Sequence, residues 1–156
     1  MTVDAAGNMA VADGNNRIRV VAARTGTFYG QAMTAGDIYT VAGGGNGGWA
    51  DGIPATSALL ASPQGVTFDG NGNLLFADND SDRVRVVAAH TGTFYGQAMT
   101  AGDVYTVAGT TAEQFSGDGG PGTSAALHSP EGVAVDQAGN LLISDSANGR
   151  IRMVTP

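Results

Sequence analysis

The chain has 156 residues, 42% of them hydrophobic, with 25 Gly, no Cys, and 14 acidic against 7 basic residues for a formal net charge of −7. That length and apolar share suit one small folded unit, and the missing Cys excludes disulfides and thiolate chemistry. The acid excess, with Arg as the only base, disfavours a phosphate-tracking groove or an anionic membrane surface, and no apolar run reaches the roughly 18 residues of a membrane span.

Met1 leads straight into Thr2-Val3-Asp4 without a signal-peptide pattern. Met1–Asp13 holds two short strand candidates around Asp4-Ala-Ala-Gly-Asn8, a tight turn in which Gly supplies a positive φ and Asp or Asn caps through its side chain. Arg17-Ile-Arg-Val-Val21 reads as a third strand, Thr25–Asp37 as an insert, and Ile38–Gly43 as a fourth strand. The Gly-rich linker Gly43–Gln64 follows, and then the series begins again.

Val66–Asp78 repeats Met1–Asp13, Arg83–Val87 repeats Arg17–Val21, and Thr91–Asp103 repeats Thr25–Asp37 at a shift of 91 − 25 = 66 residues. The strands expected in this second unit are Val66–Asp69, Leu74–Ala77, Val84–Ala88 and Val104–Ala108. After a second linker, Gly109–Glu131, a third unit runs through Val133–Asp145 and Arg150–Val154 without a fourth strand. Gly or Pro interrupts nearly every ten residues, which leaves no helical period.

A repeated four-stranded antiparallel unit predicts an all-β fold, a β-propeller, with about three blades in one segment spanning 1–156. Blade 1 covers about 1–43, blade 2 about 65–109, and blade 3 about 132–156 without its outer strand. A β-solenoid would have shorter coils and no hairpin turns. Propellers close with about 4–8 blades, and an open stack leaves bare end faces. The reading therefore expects either closure by oligomerisation, most simply six blades from a dimer, or a fragment of a longer propeller.

The blade pattern resembles the NHL repeat. The residues that carry the resemblance are Pro130-Glu-Gly-Val-Ala-Val-Asp136, Gly139-Asn-Leu-Leu-Ile-Ser-Asp145 and Asn148-Gly-Arg-Ile-Arg152, with the same series from Pro63 to Arg85. The resemblance implies a propeller and leaves function open, since such propellers serve as sensors, scaffolds, RNA binders and lyases.

Candidate binding residues lie on the linkers and inserts. Gln64 and Glu131 precede the inner strands and are expected at the channel mouth. Trp49 beside Asp51, and Phe115 beside Asp118, offer an aromatic face next to a carboxylate, the chemistry of sugar stacking; the alternative is that both aromatics plug gaps between blades. Thr25–Gly43 and Thr91–Gly109 differ at one position only. That restraint reflects either contact by Phe28, Tyr29 and Gln31 with their copies Phe94, Tyr95 and Gln97, or a demanding hairpin bent at Gly30 and Gly36.

Asp78, Asp80 and Asp82 sit at alternate positions, as at the start of a calcium loop, but Arg83 stands where that loop needs Gly. The structural alternative pairs Asp13 with Arg17, Asp78 with Arg83 and Asp145 with Arg150 across each hairpin. No zinc, nucleophile-elbow or phosphate-loop motif is present. The resulting expectation is a non-catalytic binding or scaffolding module, outside the cell or on its surface, with no cofactor. Its expected partners are a second copy of itself and a protein or glycan ligand. A lectin-like propeller and a lyase- or lactonase-type propeller enzyme are the alternatives.

Overall fold

The computed structural model describes residues 1–155. Blade 1 comprises β1 (Thr2–Val3), β2 (Met9–Asp13) and β3 (Arg17–Val21). A small hairpin follows, β4 (Gly26–Phe28) with β5 (Gln31–Met33), and then the outer strand β6 (Ile38–Gly43). The linker contributes β7 (Ile53–Pro54). Blade 2 comprises β8 (Pro63–Phe68), β9 (Leu74–Asp78), β10 (Arg83–Val87), the hairpin β11 (Gly92–Phe94) with β12 (Gln97–Met99), and β13 (Asp103–Ala108). Blade 3 comprises β14 (Pro130–Val135), β15 (Leu141–Asp145) and β16 (Arg150–Val154). Every pairing is antiparallel, in the sheet orders β1-β2-β3-β6, β7-β13-β10-β9-β8 and β14-β15-β16.

Each inner hairpin is set by the Asp-x-x-Gly-Asn turn. Asp69 Oδ1 accepts the backbone N–H of Asn71 and of Asn73, both at 2.9 Å, and Asp69 Oδ2 accepts Asn73 Nδ2 at 2.9 Å. The buried Asn73 uses its Oδ1 to accept the Ala89 N–H at 2.9 Å, which fixes the end of the third strand. Asp4 and Asn8 make the same lock, with Asn8 Oδ1 accepting from Ala23 at 2.9 Å. In blade 3 the bonds from Asn140 and the turn backbone hold the Asp136 carboxyl below the usual carboxylate range.

The core consists of two layers between blades. Ile18, Val20, Val41 and Leu60 pack against Val66, Leu74, Phe76 and Val104. Val84, Val86, Val107 and Leu127 pack with Leu75 against Leu141 and Ile143. Alternation along each strand sends one set of side chains to each neighbour, so the middle blade is buried on both faces. Each such aliphatic side chain contributes about 1.5–3 kcal/mol when removed from water. Near the axis the inner strands come so close that a Cβ on Gly65 would stand 2.5 Å from the Glu131 carbonyl oxygen.

The structure adds three features to the expected strands. The inner strand of blade 2 starts at Pro63, not at Val66, with a bulge between them. Pro is tolerated at a strand's first residue because its missing N–H breaks no ladder bond there. The outer strands each carry an extra residue opposite β3 or β10, between Thr40 and Ala42 in one and between Thr106 and Ala108 in the other. The linker also pairs as a fifth strand, with Asp103 opposite Pro54 and Val104 opposite Ile53.

Candidate functional site

The linkers act as straps. Arg85 is fully buried, and its Nη2 donates to the carbonyls of Trp49 and Ala50 at 3.4 and 3.2 Å and to Asp51 Oδ1 at 3.4 Å. Arg83 Nη1 adds a bond to the Trp49 carbonyl at 3.4 Å, and Thr106 Oγ1 donates to Asp51 Oδ1 at 3.0 Å. The strap backbone is thereby held flat on the rim of blade 2. In blade 3, Arg152 Nη2 meets Asp118 Oδ1 at 2.7 Å and the Ser116 carbonyl at 3.0 Å, while Nη1 reaches Asp145 Oδ2 at 3.2 Å.

These contacts correct the expected ion pairs. Asp13 meets Arg19 at 3.8 Å and Asp145 meets Arg152, not Arg17 and Arg150. Asp78 likewise lies in the field of Arg85 ahead of Arg83. In each Arg-x-Arg both side chains share a face, because sheet side chains alternate. The second Arg lies deeper, away from the loop, and reaches diagonally to the buried carboxylate. The first Arg turns outward, and Arg150 stacks on Phe115. Asp78 Oδ1 accepts the Ala61 N–H at 2.7 Å while its Oδ2 has no partner, and burial pushes its carboxyl above the usual range. Burial likewise lowers the Arg85 guanidinium.

The calcium geometry does not form. Asp78 faces Ala61, Asp80 Oδ2 accepts from Ser62 Oγ at 2.6 Å, and Asp82 Oδ1 accepts the Ser129 N–H at 2.7 Å. Among the described residues no three His, Cys, Asp or Glu side chains converge on a metal position. Asp82 is a clamp on the next blade, and Asn16 plays the same part by accepting the Ser62 N–H at 3.0 Å. Both clamps are left-handed residues, with φ of 56° at Asp82 and 57° at Asn16. Asn and Asp enter that region more readily than other side chains.

The repeated inserts form short antiparallel hairpins. Tyr29-Gly30 and Tyr95-Gly96 both take positive φ at the tips. Gln31 and Gln97 pin each hairpin to its own outer strand through the carbonyls of Thr40 and Thr106, at 3.1 and 2.9 Å. The buried Tyr29 donates to the Gly72 carbonyl of the following blade at 3.0 Å, while Tyr95 donates to Asp69 Oδ2 of its own blade at 3.1 Å. Burial pushes both phenols up. Phe28 packs against the first core layer and Phe94 against the second.

Trp49 and Phe115 do not plug the gaps between blades; Leu60 and Leu127 do that. Both aromatics sit on the rim, 41% and 39% exposed, but in different states. The Phe115 ring lies 3.8 Å from the Arg150 guanidinium and 4.9 Å from that of Arg152, so cations cover it. Trp49 borders an open groove of about 920 Å³ shared with Asp51, Arg83, Tyr95, Gln97 and Thr106. On its other side it borders a depression of about 310 Å³ with Asp80, Arg83 and Glu113. The structure thus brings Trp49, Asp51, Tyr95 and Gln97 together. Phe115 and Asp118 lie on the rim of blade 3, and Gln64 and Glu131 stand exposed at the starts of the inner strands.

The strap anchors were missed in the sequence, although a signal was present. Asp51 to Arg85 and Asp118 to Arg152 are the same distance apart along the chain, 85 − 51 = 34 and 152 − 118 = 34 residues.

Three antiparallel sheets stacked face to face, each opening on the same turn and carrying the same Arg-x-Arg third strand, define a β-propeller segment. The NHL repeat family model matches residues 127–152, within which the third such series falls. The chain is a β-propeller segment, and its third blade matches the NHL repeat. Human teneurin-1 is 28% identical over 111 residues, covering 65% of this chain and 4% of that protein. A Bacteroides thetaiotaomicron VPI-5482 protein of unknown function superposes with a TM-score of 0.68 at 22% identity, over 94% of this chain and 32% of the other. An auxiliary nutrient binding protein from Bacteroides ovatus ATCC 8483 gives 0.61 at 26% identity, over 92% and 33%. A streptogramin B lyase gives 0.57 at 14% identity, over 99% and 36%. The chain spans about a third of the length of these solved structures.

Proposed function

We propose that the chain is a non-catalytic binding and scaffolding segment, with its ligand taken at the rim of blade 2 against Trp49. The observation that carries this reading is the division of labour among polar groups. Asp51, Asp78, Asp82, Asp118 and Asp145 are engaged with arginines or backbone N–H groups that hold strap to blade or blade to blade. The Trp49 indole, by contrast, is held out by a rigid strap beside an open polar groove. A large aromatic on a rigid support is the kind of group that anchors a ligand at low entropic cost.

Carbohydrate is the second reading. An exposed indole flanked by carboxylates and amides suits the apolar face and hydroxyl edge of a sugar ring, and the Bacteroides ovatus relative is named as nutrient binding. The lyase relative shares the fold at 14% identity, which lends no support to turnover here.

The test is affinity electrophoresis in soluble polysaccharides together with a glycan array, on wild type and Trp49→Ala. Retardation or array signal that disappears in Trp49→Ala supports the carbohydrate reading. Binding that survives Trp49→Ala overturns the rim site. Hydrolytic or lyase turnover by the purified chain overturns the non-catalytic reading.

A further inference from the structure

Blade 3 shows what a rim aromatic on a strap attracts. The Phe115 ring lies under the Arg150 guanidinium at 3.8 Å, with that of Arg152 at 4.9 Å. Trp49 sits one residue further along the preceding strap, and Arg83 is the equivalent of Arg150. Arg83 does not repeat the stack. Its Nη1 donates instead to the Trp49 backbone carbonyl at 3.4 Å, and among the described residues no cation lies over the indole. The indole stays 41% exposed.

The surroundings of that ring are negative on one side. The depression of about 310 Å³ beside it is lined by Asp80, Asp82 and Glu113 against the single cation Arg83. Asp82 is buried and holds the Ser129 N–H, so the outward carboxylates are Asp80 and Glu113, both exposed. Asp80 gives Oδ2 to Ser62 Oγ, and Glu113 enters no ion pair among the described residues. A depression of this size lies at the small end for ligand pockets and suits one long side chain. A guanidinium fits these surroundings best. The aromatic face attracts its plane, and the carboxylates accept its N–H groups in pairs. The larger groove on the other side of Trp49 sets Asp51 against Arg83 and carries no such bias. At longer range the net charge of −7 draws basic segments toward the chain.

We propose that the depression between Trp49, Asp80 and Glu113 receives an arginine side chain from a basic segment of a partner protein, with its guanidinium stacked on the indole and bonded to the two carboxylates. This names the ligand class of the rim site, and it rests on Trp49 being the contact residue there. The partner supplies from outside what Arg150 supplies to Phe115 from within. Arg83 and Arg85 already hold the strap through the Trp49 carbonyl, so little order has to be gained on binding.

Trp49 is the only tryptophan in the chain, so its fluorescence reports the site directly. The test titrates the chain with the peptide acetyl-Gly-Gly-Arg-Gly-Gly-amide into the millimolar range, and with versions carrying lysine or citrulline in place of the arginine. The arginine peptide is expected to change Trp49 emission saturably. Citrulline, which is neutral and of the same shape, is expected to bind about tenfold more weakly, and lysine about threefold. Glu113→Gln and Asp80→Asn are each expected to weaken the arginine peptide about threefold at low salt, a difference that added salt removes. Both replaced carboxylates are exposed, so circular dichroism of these variants is expected to match wild type. Trp49→Ala, followed by calorimetry, is expected to abolish binding. Equal affinity for the citrulline peptide, or unchanged affinity in both carboxylate variants, overturns the proposal. Equal affinity for the lysine peptide overturns selection of a guanidinium. A Trp49 that does not respond overturns the arginine assignment, while the rim site stands if glycan binding is lost in Trp49→Ala. Arginine-peptide binding that persists in Trp49→Ala overturns the rim site and the assignment together.

Discussion

Arg152 meets Asp118 at 2.7 Å from the strap side while its other terminal nitrogen meets Asp145 at 3.2 Å from the blade side. One buried guanidinium thus joins the linker to the sheet, and the two carboxylates differ in surroundings: Asp145 is fully buried and Asp118 is largely exposed. Removing Asp145 leaves a cation nine-tenths buried without its inner partner and leaves the His128 N–H unpaired. Asp145→Ala is expected to cost about 3–5 kcal/mol. Asp118→Ala is expected to cost about 1 kcal/mol, because water replaces that exposed carboxylate. Urea unfolding of both variants checks the order.

Asn73 closes the inner turn and holds the Ala89 N–H from a fully buried position. Asn73→Ala strands buried donors and acceptors on two strands and is expected to cost about 2–3 kcal/mol. Asn73→Asp keeps an acceptor for Ala89 but sets a second carboxylate against Asp69, and is expected to be at least as damaging near neutral pH. Thermal unfolding at two pH values separates the two effects.

The two insert hairpins have the same sequence and different settings, which makes them a matched pair. Tyr29 is buried against the next blade, and a Cβ at Gly102 would lie 2.7 Å from the Tyr29 carbonyl oxygen, so that tip is docked. A Cβ at Gly96 would meet nothing within 4 Å. Tyr29→Ala is expected to cost about 3 kcal/mol or more, and Tyr95→Ala less than half of that. The folded chain disfavours ionising the Tyr29 phenol, so stability is expected to fall as pH rises above the ordinary tyrosine value of 10.0, and to fall less in Tyr29→Phe.

Asp78 gives an acid-side prediction of the same sign. Its folded pKa lies above the ordinary 3.8, so the native state binds the proton more tightly than the unfolded chain does. This group's contribution is greatest below that value and declines as pH rises through the window up to its folded pKa. Asp78→Asn is expected to flatten that part of the stability profile, as read from denaturant midpoints measured from pH 4 upward.

Gly65 tests the close approach of the inner strands. Gly65→Ala drives a methyl group against the Glu131 backbone and is expected to cost about 1–3 kcal/mol. Gly70→Ala, where a Cβ meets nothing within 4 Å, serves as the control and is expected to be close to neutral.

The strands and turns were legible because repetition supplied three readings of the first three strands and two of the fourth. The Asp-x-x-Gly-Asn turn and the alternating runs on either side of it carry their own geometry wherever they occur. The straps were not legible as structure, since Gly43–Gly52 has neither alternation nor period. The fifth strand that follows it, Ile53–Pro54, is only two residues long and is held by pairing with β13, next to the strap residues that Arg85 binds. The ion pairs were placed one Arg too early, because hairpin register names the directly opposed residue while depth in the sheet selects the diagonal one. Trp49 and Phe115 looked equivalent in the sequence. Aligning the straps through Asp51 and Asp118 places Gly48 opposite Phe115 and Trp49 opposite Ser116, which is why one ring is covered by arginines and the other is free.

Because β7 edges the sheet of blade 2 while lying ahead of that blade's inner strand in the chain, the sequence repeat and the interchangeable part are cut at different points. A transplant begun at Pro63 would arrive with an uncovered rim and a bare Arg85. One begun at Gly44 and carried through Gly109 would bring its own edging, its own arginine anchor and Leu60 to fill the seam. Shuffling or duplication of these modules should therefore tolerate breakpoints just after the outer strand and reject those just before the inner one.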